Sequence, residues 1–267
     1  MTAVAMRDAV TMGSISLDEL VESAALLTRV DRKYVIPVRE LGPVMGCLQD
    51  SARILDIGGR REFGYRSTYY DTPNRDSFLT SGRSRRRRWK VRTRTYVDSG
   101  SSWLEVKTRQ SRDQTVKQRI EYADADEATA LSAEGTAFVA SVLDAGLAAA
   151  LEPVLVTGYQ RTTLYLPASH SRVTIDVDLG WTSLTGCGDL DRPSIAILET
   201  KTGSTPSEVD RLMWSRGHRP ARISKYGVGM AALDPALPRL KWNRSLQRHL
   251  GLPATQTVPH TPTGEAS

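Results

Sequence analysis

The strongest constraint on what this chain can fold into lies between Arg83 and Lys107, where Arg88-Trp89-Lys90-Val91-Arg92-Thr93-Arg94-Thr95-Tyr96 alternates with a period of two. Side chains of a strand point alternately to opposite faces. Lys90, Arg92, Arg94 and Tyr96 therefore share one side, and Val91, Thr93 and Thr95 share the other. After a Ser/Gly turn over Asp98 to Ser102, the stretch Trp103-Leu104-Glu105-Val106-Lys107-Thr108-Arg109 repeats the pattern. It sets Glu105, Lys107 and Arg109 against Leu104 and Val106.

One charged strand face usually means solvent. Here the habit recurs in Thr115-Val116-Lys117-Gln118-Arg119-Ile120-Glu121, Tyr159-Gln160-Arg161, Arg172-Val173-Thr174-Ile175-Asp176-Val177-Asp178 and Leu198-Glu199-Thr200-Lys201. A sheet with so many cations on one face and apolar residues on the other fits a barrel. Its polar side faces a water-filled lumen and its apolar side packs on helices. The ligand such a lumen suits is a chain of phosphates with a divalent metal.

At 267 residues one barrel-sized domain is expected. The boundaries are a flexible leader over 1–15, a single domain over 16–250 and a disordered tail over 251–267, the last rich in Pro, Thr and Gly. A net charge of +6 and a pI near 9.4 favour polyanionic partners. Cys47 and Cys187 stand alone, without metal-ligand spacing, and are expected to be reduced and structural. No apolar run approaches membrane-spanning length and no signal sequence is evident, so a cytoplasmic location is expected.

Along the chain, Ser16-Leu17-Asp18-Glu19 forms a capping box ahead of a helix running to about Thr28. Arg29 to Ile36 takes strand period and stops at Pro37. Arg39 to Gln49 is a weak helix candidate, interrupted by Gly42, Pro43 and Gly46. Tyr65 to Asp71 reads as a strand ended by Thr72-Pro73-Asn74. Asp126 to Leu151 reads as helix broken at Gly135 and Gly146. Thr205-Pro206-Ser207-Glu208 starts a helix through Trp214, with Thr205 as cap, and a further helix is expected over Pro238 to Leu250. The run Arg83 to Arg88 fits a solvated loop, a nucleic-acid patch or the mouth of the lumen, and His170 falls in a surface turn.

Eight short motifs occur in an order that carries a resemblance. They are Asp31-Arg32-Lys33-Tyr34, Ser67-Thr68-Tyr69-Tyr70-Asp71-Thr72-Pro73, Lys90 through Tyr96, Leu104-Glu105-Val106-Lys107, Tyr159-Gln160-Arg161, Val173-Thr174-Ile175-Asp176, Ile197-Leu198-Glu199-Thr200-Lys201 and Ser224-Lys225-Tyr226. The set resembles the VTC (vacuolar transporter chaperone) domain of the triphosphate tunnel metalloenzymes, the CYTH-like superfamily, over about residues 29 to 230. The resemblance implies an α+β fold, an eight-stranded antiparallel tunnel with helices packed on its outside. It also implies polyphosphate synthesis from ATP, with ATP and inorganic polyphosphate as partners and Mn²⁺ or Mg²⁺ as cofactor.

Carried over by residue, Lys33, Arg92, Arg94, Lys107, Arg161 and Lys225 match the basic positions that hold the triphosphate and the growing chain. Tyr159 and Ser224 match polar contacts to phosphate, and Glu199 matches the metal carboxylate. The strand pattern adds Lys90, Lys117, Arg119 and Lys201 as substrate-binding candidates. Hydrolytic tunnel enzymes begin with Glu-x-Glu-x-Lys, whereas the matching positions here are Arg29, Asp31 and Lys33. That favours a polymerase over a triphosphatase or a polyphosphate-binding module, because water activation asks more of metal and base than transfer to an anionic phosphate oxygen does. Specific nucleic-acid binding is disfavoured by an aromatic content of 6%. The membrane helices of eukaryotic VTC subunits have no counterpart in this sequence, so a membrane partner would be a separate polypeptide.

Overall fold

The computed structural model describes residues 11–23, 30–109, 115–123 and 129–253. Most of the expected leader, the end of the first helix and most of the expected tail lie outside the described residues. Eleven strands form one sheet. They are β1 (Gly13–Ile15), β2 (Val30–Pro37), β3 (Arg53–Leu55), β4 (Phe63–Asp71), β5 (Arg88–Tyr96), β6 (Ser102–Arg109), β7 (Thr115–Glu121), β8 (Glu152–Leu166), β9 (Ser171–Ser183), β10 (Asp189–Arg192) and β11 (Ile195–Thr202).

Eight of them follow the order β2-β11-β9-β8-β4-β5-β6-β7, and every neighbouring pair is antiparallel. Among the described residues β2 and β7 do not pair, so the sheet curls without closing strictly. Gly13–Ile15, expected in the leader, is instead β1, which runs parallel to β3 at the sheet margin.

The described helices are α1 (Leu17–Ser23), α2 (Leu41–Gly46), α3 (Asp76–Gly82), α4 (Ala133–Val142), α5 (Ala145–Ala149), α6 (Glu208–Ser215), α7 (Lys225–Leu233) and α8 (Asn243–Leu250). None is long and apolar enough to cross a membrane. The helix expected over Arg39 to Gln49 shrinks to α2 behind a 3-10 turn at Val38–Glu40. The break expected at Gly135 and Gly146 falls elsewhere, at Leu143 and Asp144, and both glycines lie inside helices. Asp144 caps α5 by accepting from the Leu147 amide at 3.0 Å. Residues 126–128, the start of that expected helix, lie outside the described residues, and the helix begins only at Ala133.

Strand alternation sorts the core. Tyr34, Ile36, Leu198 and Val173 turn outward and pack with Val209 and Met213 of α6. Val91, Leu104 and Val106 do the same with Val139 of α4 and Ala148 of α5. The cap of α6 is Ser207, not Thr205, with Asp210 completing the box. Asp210 is fully buried and also accepts from Tyr34 Oη and Thr200 Oγ1, each at 2.7 Å. The short acid thus joins the helix start to β2 and β11, which fixes where the helix begins.

A third cluster lies on the concave side. Val35, Tyr69, Leu155, Tyr159 and Ile197 pack with Tyr226, Val228 and Met230 of α7 and with Trp242 and Leu246 near α8. Besides the helices on the outside, α7 and α8 therefore fill part of the curl and leave the rest as a lumen. Trp242 is 1% exposed and lies flat on Gly227 of α7, where a Cβ would overlap its ring. Gly227→Ala is expected to lower stability by about 1–3 kcal/mol, the usual range for overpacking. A denaturant midpoint unchanged from wild type would show that the ring is not held there.

Candidate functional site

Register places the charged residues of separate strands side by side on the concave face. Lys90 pairs with Lys107, Arg92 with Glu105 and Glu105 with Arg119. Lys33 pairs with Glu199, and Arg161 with Asp176. The alternation read in β5 and β6 is the alternation observed. Three acids organise the cations into groups.

Glu105, 2% exposed, accepts from Arg92 Nε and Nη2 at 2.7 and 2.6 Å and also binds Lys117. Asp176, 1% exposed, takes Arg161 in a two-point contact at 2.6 and 2.8 Å and also binds Lys225. Glu199 meets Lys33 at 2.8 Å and Lys201 at 3.9 Å.

Burial opposes ionisation of these acids, but the neighbouring cations outweigh it. Arg92, Arg94 and Lys117 hold Glu105 at about 2, and Lys225 and Arg161 hold Asp176 at about 2. Lys33 and Lys201 hold Glu199 well below the usual carboxylate range. All three are anions at neutral pH. The cations are less settled: burial and the facing Lys107, Lys241, Arg92 and Lys33 push Lys90 down to about 7. Its Nζ donates to Ser224 Oγ at 2.8 Å.

Aromatic rings support the guanidinium groups. Tyr65 and Tyr159 stack at 5.3 Å, with Arg161 over both rings and Arg94 over Tyr65 at 5.4 Å. Lys225 Nζ lies 4.1 Å from the Tyr159 ring centre. Arg94 donates to Tyr159 Oη at 3.3 Å. Arg94 Nε, Ser67 Oγ, Thr157 Oγ1 and Thr174 Oγ1 are buried without a protein partner, and register puts all four residues on the concave face. Buried donors without partners are costly, and an anion in the lumen would satisfy them.

Ser224 and Lys225, which the sequence alone would leave in a loop, form the start of α7. Ser224 is its cap, accepting from the Gly227 amide at 3.3 Å. The positive end of a helix thus meets the lumen. Lys117 and Arg119 lie on the exposed strand β7, with Arg119 stacked on Trp103 at 4.3 Å. Sequence reasoning passed over Asp176, Tyr65 and Tyr69 as site residues. The available signal was the i, i+2 alternation that puts Asp176 on the same face as Thr174; its place opposite Arg161 comes from register alone.

The donor set also bears on metal binding. Among the described residues no group of three His, Cys, Asp or Glu could hold an ion. Glu199 and Asp31 occupy lumen positions on adjacent strands, diagonal across the Lys33–Glu199 and Asp31–Lys201 pairs. Such a set fits a divalent ion that arrives with phosphate oxygens as its main ligands, and does not fit one held by protein alone.

An antiparallel sheet curled round a cation-rich lumen, with helices outside it and one helix start pointing in, defines the class as a β tunnel. The VTC domain family matches residues 28–234, and the chain belongs to that family. Comparison with curated proteins gives no match. Similar solved structures include HpAC1 of Hippeastrum, described as having a dominant triphosphatase activity, at 14% identity and a TM-score of 0.49, covering 79% of this chain and 99% of that one. Another is the PH1819 protein of Pyrococcus horikoshii, at 13% identity and a TM-score of 0.43, covering 76% and 96%.

Two tests follow from the electrostatics. An anion beside Lys90 raises its pKa again, so binding takes up a proton. Triphosphate affinity should be highest below pH 7 and fall as pH rises through 7 to 8.5, by up to about tenfold per unit of pKa restored. Lys90→Arg, charged throughout, should flatten that profile, and equal slopes in titration calorimetry would rule Lys90 out. The second test separates neighbours on one strand. Removing mutually repelling cations should cost a barrel little, but Arg92 neutralises buried Glu105. Arg92→Ala should therefore lose about 3 kcal/mol of stability, while Arg94→Ala should keep the wild-type melting temperature and lose triphosphate binding.

Proposed function

We propose that this chain is a polyphosphate polymerase that transfers the γ-phosphoryl group of ATP to a growing inorganic polyphosphate chain inside the lumen. The observation that carries this is the crowding of Lys90, Arg92, Arg94, Lys107, Arg161 and Lys225 onto one concave face, where the acids pair with only some of them. Two polyanions must meet for this reaction. At an effective dielectric near 20, two unit charges 4 Å apart interact by about 4 kcal/mol, so a cationic wall offsets much of the repulsion.

In the transfer, a terminal oxygen of the polyphosphate chain attacks the γ-phosphorus as the bond to the β–γ bridging oxygen breaks. ADP leaves and the chain grows by one phosphate. The nucleophile brings its own charge, so no proton need be removed. Arg92, Arg94 and Arg161 position the phosphates and stabilise charge on the transferring group, while Lys33, Lys107 and Lys225 bind flanking oxygens. Tyr159 and Ser224 supply neutral contacts. A bound Mn²⁺ or Mg²⁺, held by Glu199 and phosphate oxygens, would neutralise charge on the phosphates.

The paired lumen acids are not suited to activating water. A general base works best with a pKa near the operating pH, and Glu105 and Asp176 are held at about 2. They are poor acceptors for a proton from water. A triphosphatase would use the same cations and metal but release orthophosphate, and a binding module would turn nothing over.

Incubation with ATP and Mn²⁺, followed by gel separation, distinguishes the three: long-chain polyphosphate is expected, and free phosphate alone would overturn the proposal. Glu199→Gln should abolish metal-dependent synthesis while metal-free binding of an ATP analogue is kept or strengthened, because the wall has become more positive. Near-normal synthesis with unaltered Mn²⁺ dependence would remove Glu199 as the metal ligand.

A further inference from the structure

The Arg88 end of the lumen opens into a cavity of about 600 Å³. Arg88, Lys90, Arg109, Arg222 and Lys241 line it, and Asp31 is the sole acid in its described lining. Lys33 and Lys107 also line it and join it to the rest of the concave face. The run Arg83 to Arg88 reaches the cavity through Ser84 and Arg88. Arg94, Arg161 and Tyr159 do not. Arg88 stands six residues before Arg94 on β5, about 20 Å away at the rise of a strand. A triphosphate centred on Arg94 leaves Arg88 to more distant phosphates of a longer chain.

Lys241 belongs to the stretch after residue 234, outside the family match, yet its place is firmly set. Leu240 and Trp242 on either side pack against Gly82 of α3 and Gly227 of α7, at points where a Cβ would collide with them. Leu240 adopts φ 47°, the left-handed region that residues with a Cβ avoid. Lys241 Nζ donates to the Ser81 carbonyl. Burial, then Arg88, Arg222 and Arg109, push its pKa down to about 8. The surrounding packing thus holds a cation among cations, an arrangement that a polyanion would relieve.

We propose that this cavity is a vestibule for the part of a linear polyphosphate chain beyond its terminal three phosphates, gripped by Lys241, Arg222, Arg88 and Arg109. It rests on the lumen being a polyphosphate site and adds a preference for chain length. Nucleic acid also carries a row of phosphates, but the rings in the described lining are Trp89 and Trp242, and Trp242 is buried, so bases find little to stack on. A bare phosphate chain suits it better.

The test is metal-free binding, without turnover, by wild type, Lys241→Ala and Arg222→Ala. Tripolyphosphate, long-chain polyphosphate and a single-stranded oligonucleotide are the ligands. Wild type should bind long chains more tightly than tripolyphosphate. Each variant should lose roughly fivefold to tenfold on long chains, the net scale of one ordinary hydrogen bond, and stay within about twofold on tripolyphosphate. Arg222 is exposed, so its result stands even if Lys241→Ala disturbs folding.

Equal losses on both polyphosphates, or none on long chains, would overturn the vestibule. An oligonucleotide bound as tightly as polyphosphate, with the same losses, would overturn the ligand. Wild type that binds tripolyphosphate without any length preference sinks the vestibule alone, whereas wild type that binds neither polyphosphate sinks the lumen assignment on which it rests.

Discussion

Three carboxylates, Glu105 and Asp176 buried and Glu199 partly so, make the cationic lumen possible. Folding a sheet whose concave face carries Lys90, Arg92, Arg94, Lys107 and Arg161 against the Lys225 end of α7 brings like charges close together, with little water to screen them. Glu105, Asp176 and Glu199 each bind two cations, so most repulsion is met within the wall. The two-point contacts of Arg92 and Arg161 also fix the planes of the guanidinium groups, which a lysine at those positions could not do. The acids are ionised because of their partners and the cations are oriented because of the acids. Neither half of that arrangement would persist alone.

The second element that shapes the lumen is the start of α7. Tyr226 reaches from its first turn to Asp71 at the end of β4, and Asp71 also accepts from the backbone amides of Thr72, Ser77 and Phe78. One buried acid thus ties α3, β4 and α7 together. Tyr226 stacks on Tyr69 at 5.0 Å, and Tyr69 Oη accepts from Arg92 at 3.2 Å. A helix packed inside the curl is in this way coupled to the cation row, and the motifs Tyr70-Asp71-Thr72 and Ser224-Lys225-Tyr226 become two ends of one contact.

Period two made the sheet legible in the sequence, because a strand's faces are fixed by alternation whatever its partners. The inward set on β5 and β6 and the outward set Val91, Leu104 and Val106 follow from it directly. The pairings do not, since Arg161 meets Asp176 only through the register of β8 on β9, which no local pattern encodes. The helix boundaries failed for a similar reason. Thr205 has the local chemistry of a cap, but Asp210 is committed to Tyr34 and Thr200 on other strands, and that tertiary demand moved the start to Ser207. Lys241 was hidden most completely: it lies in a weakly patterned segment, and only the close approach of Trp242 to Gly227 brings it to the lumen.

The same acids that stabilise the lumen would also limit how tightly it holds an anion. Every cation that turns to a ligand must loosen its grip on Glu105, Asp176 or Glu199, carboxylates that burial would destabilise as anions without those cations. Binding is therefore an exchange of anions, with a net gain set by the cations left incompletely paired and by the buried donors of Arg94, Ser67, Thr157 and Thr174. A wall of wholly unpaired cations would bind a polyanion more strongly and release it more slowly. Under the proposed function, in which the chain advances by one phosphate at each transfer, a wall that can return to its own acids would lower the barrier to each step. The acids would then serve both the fold and the movement of the chain.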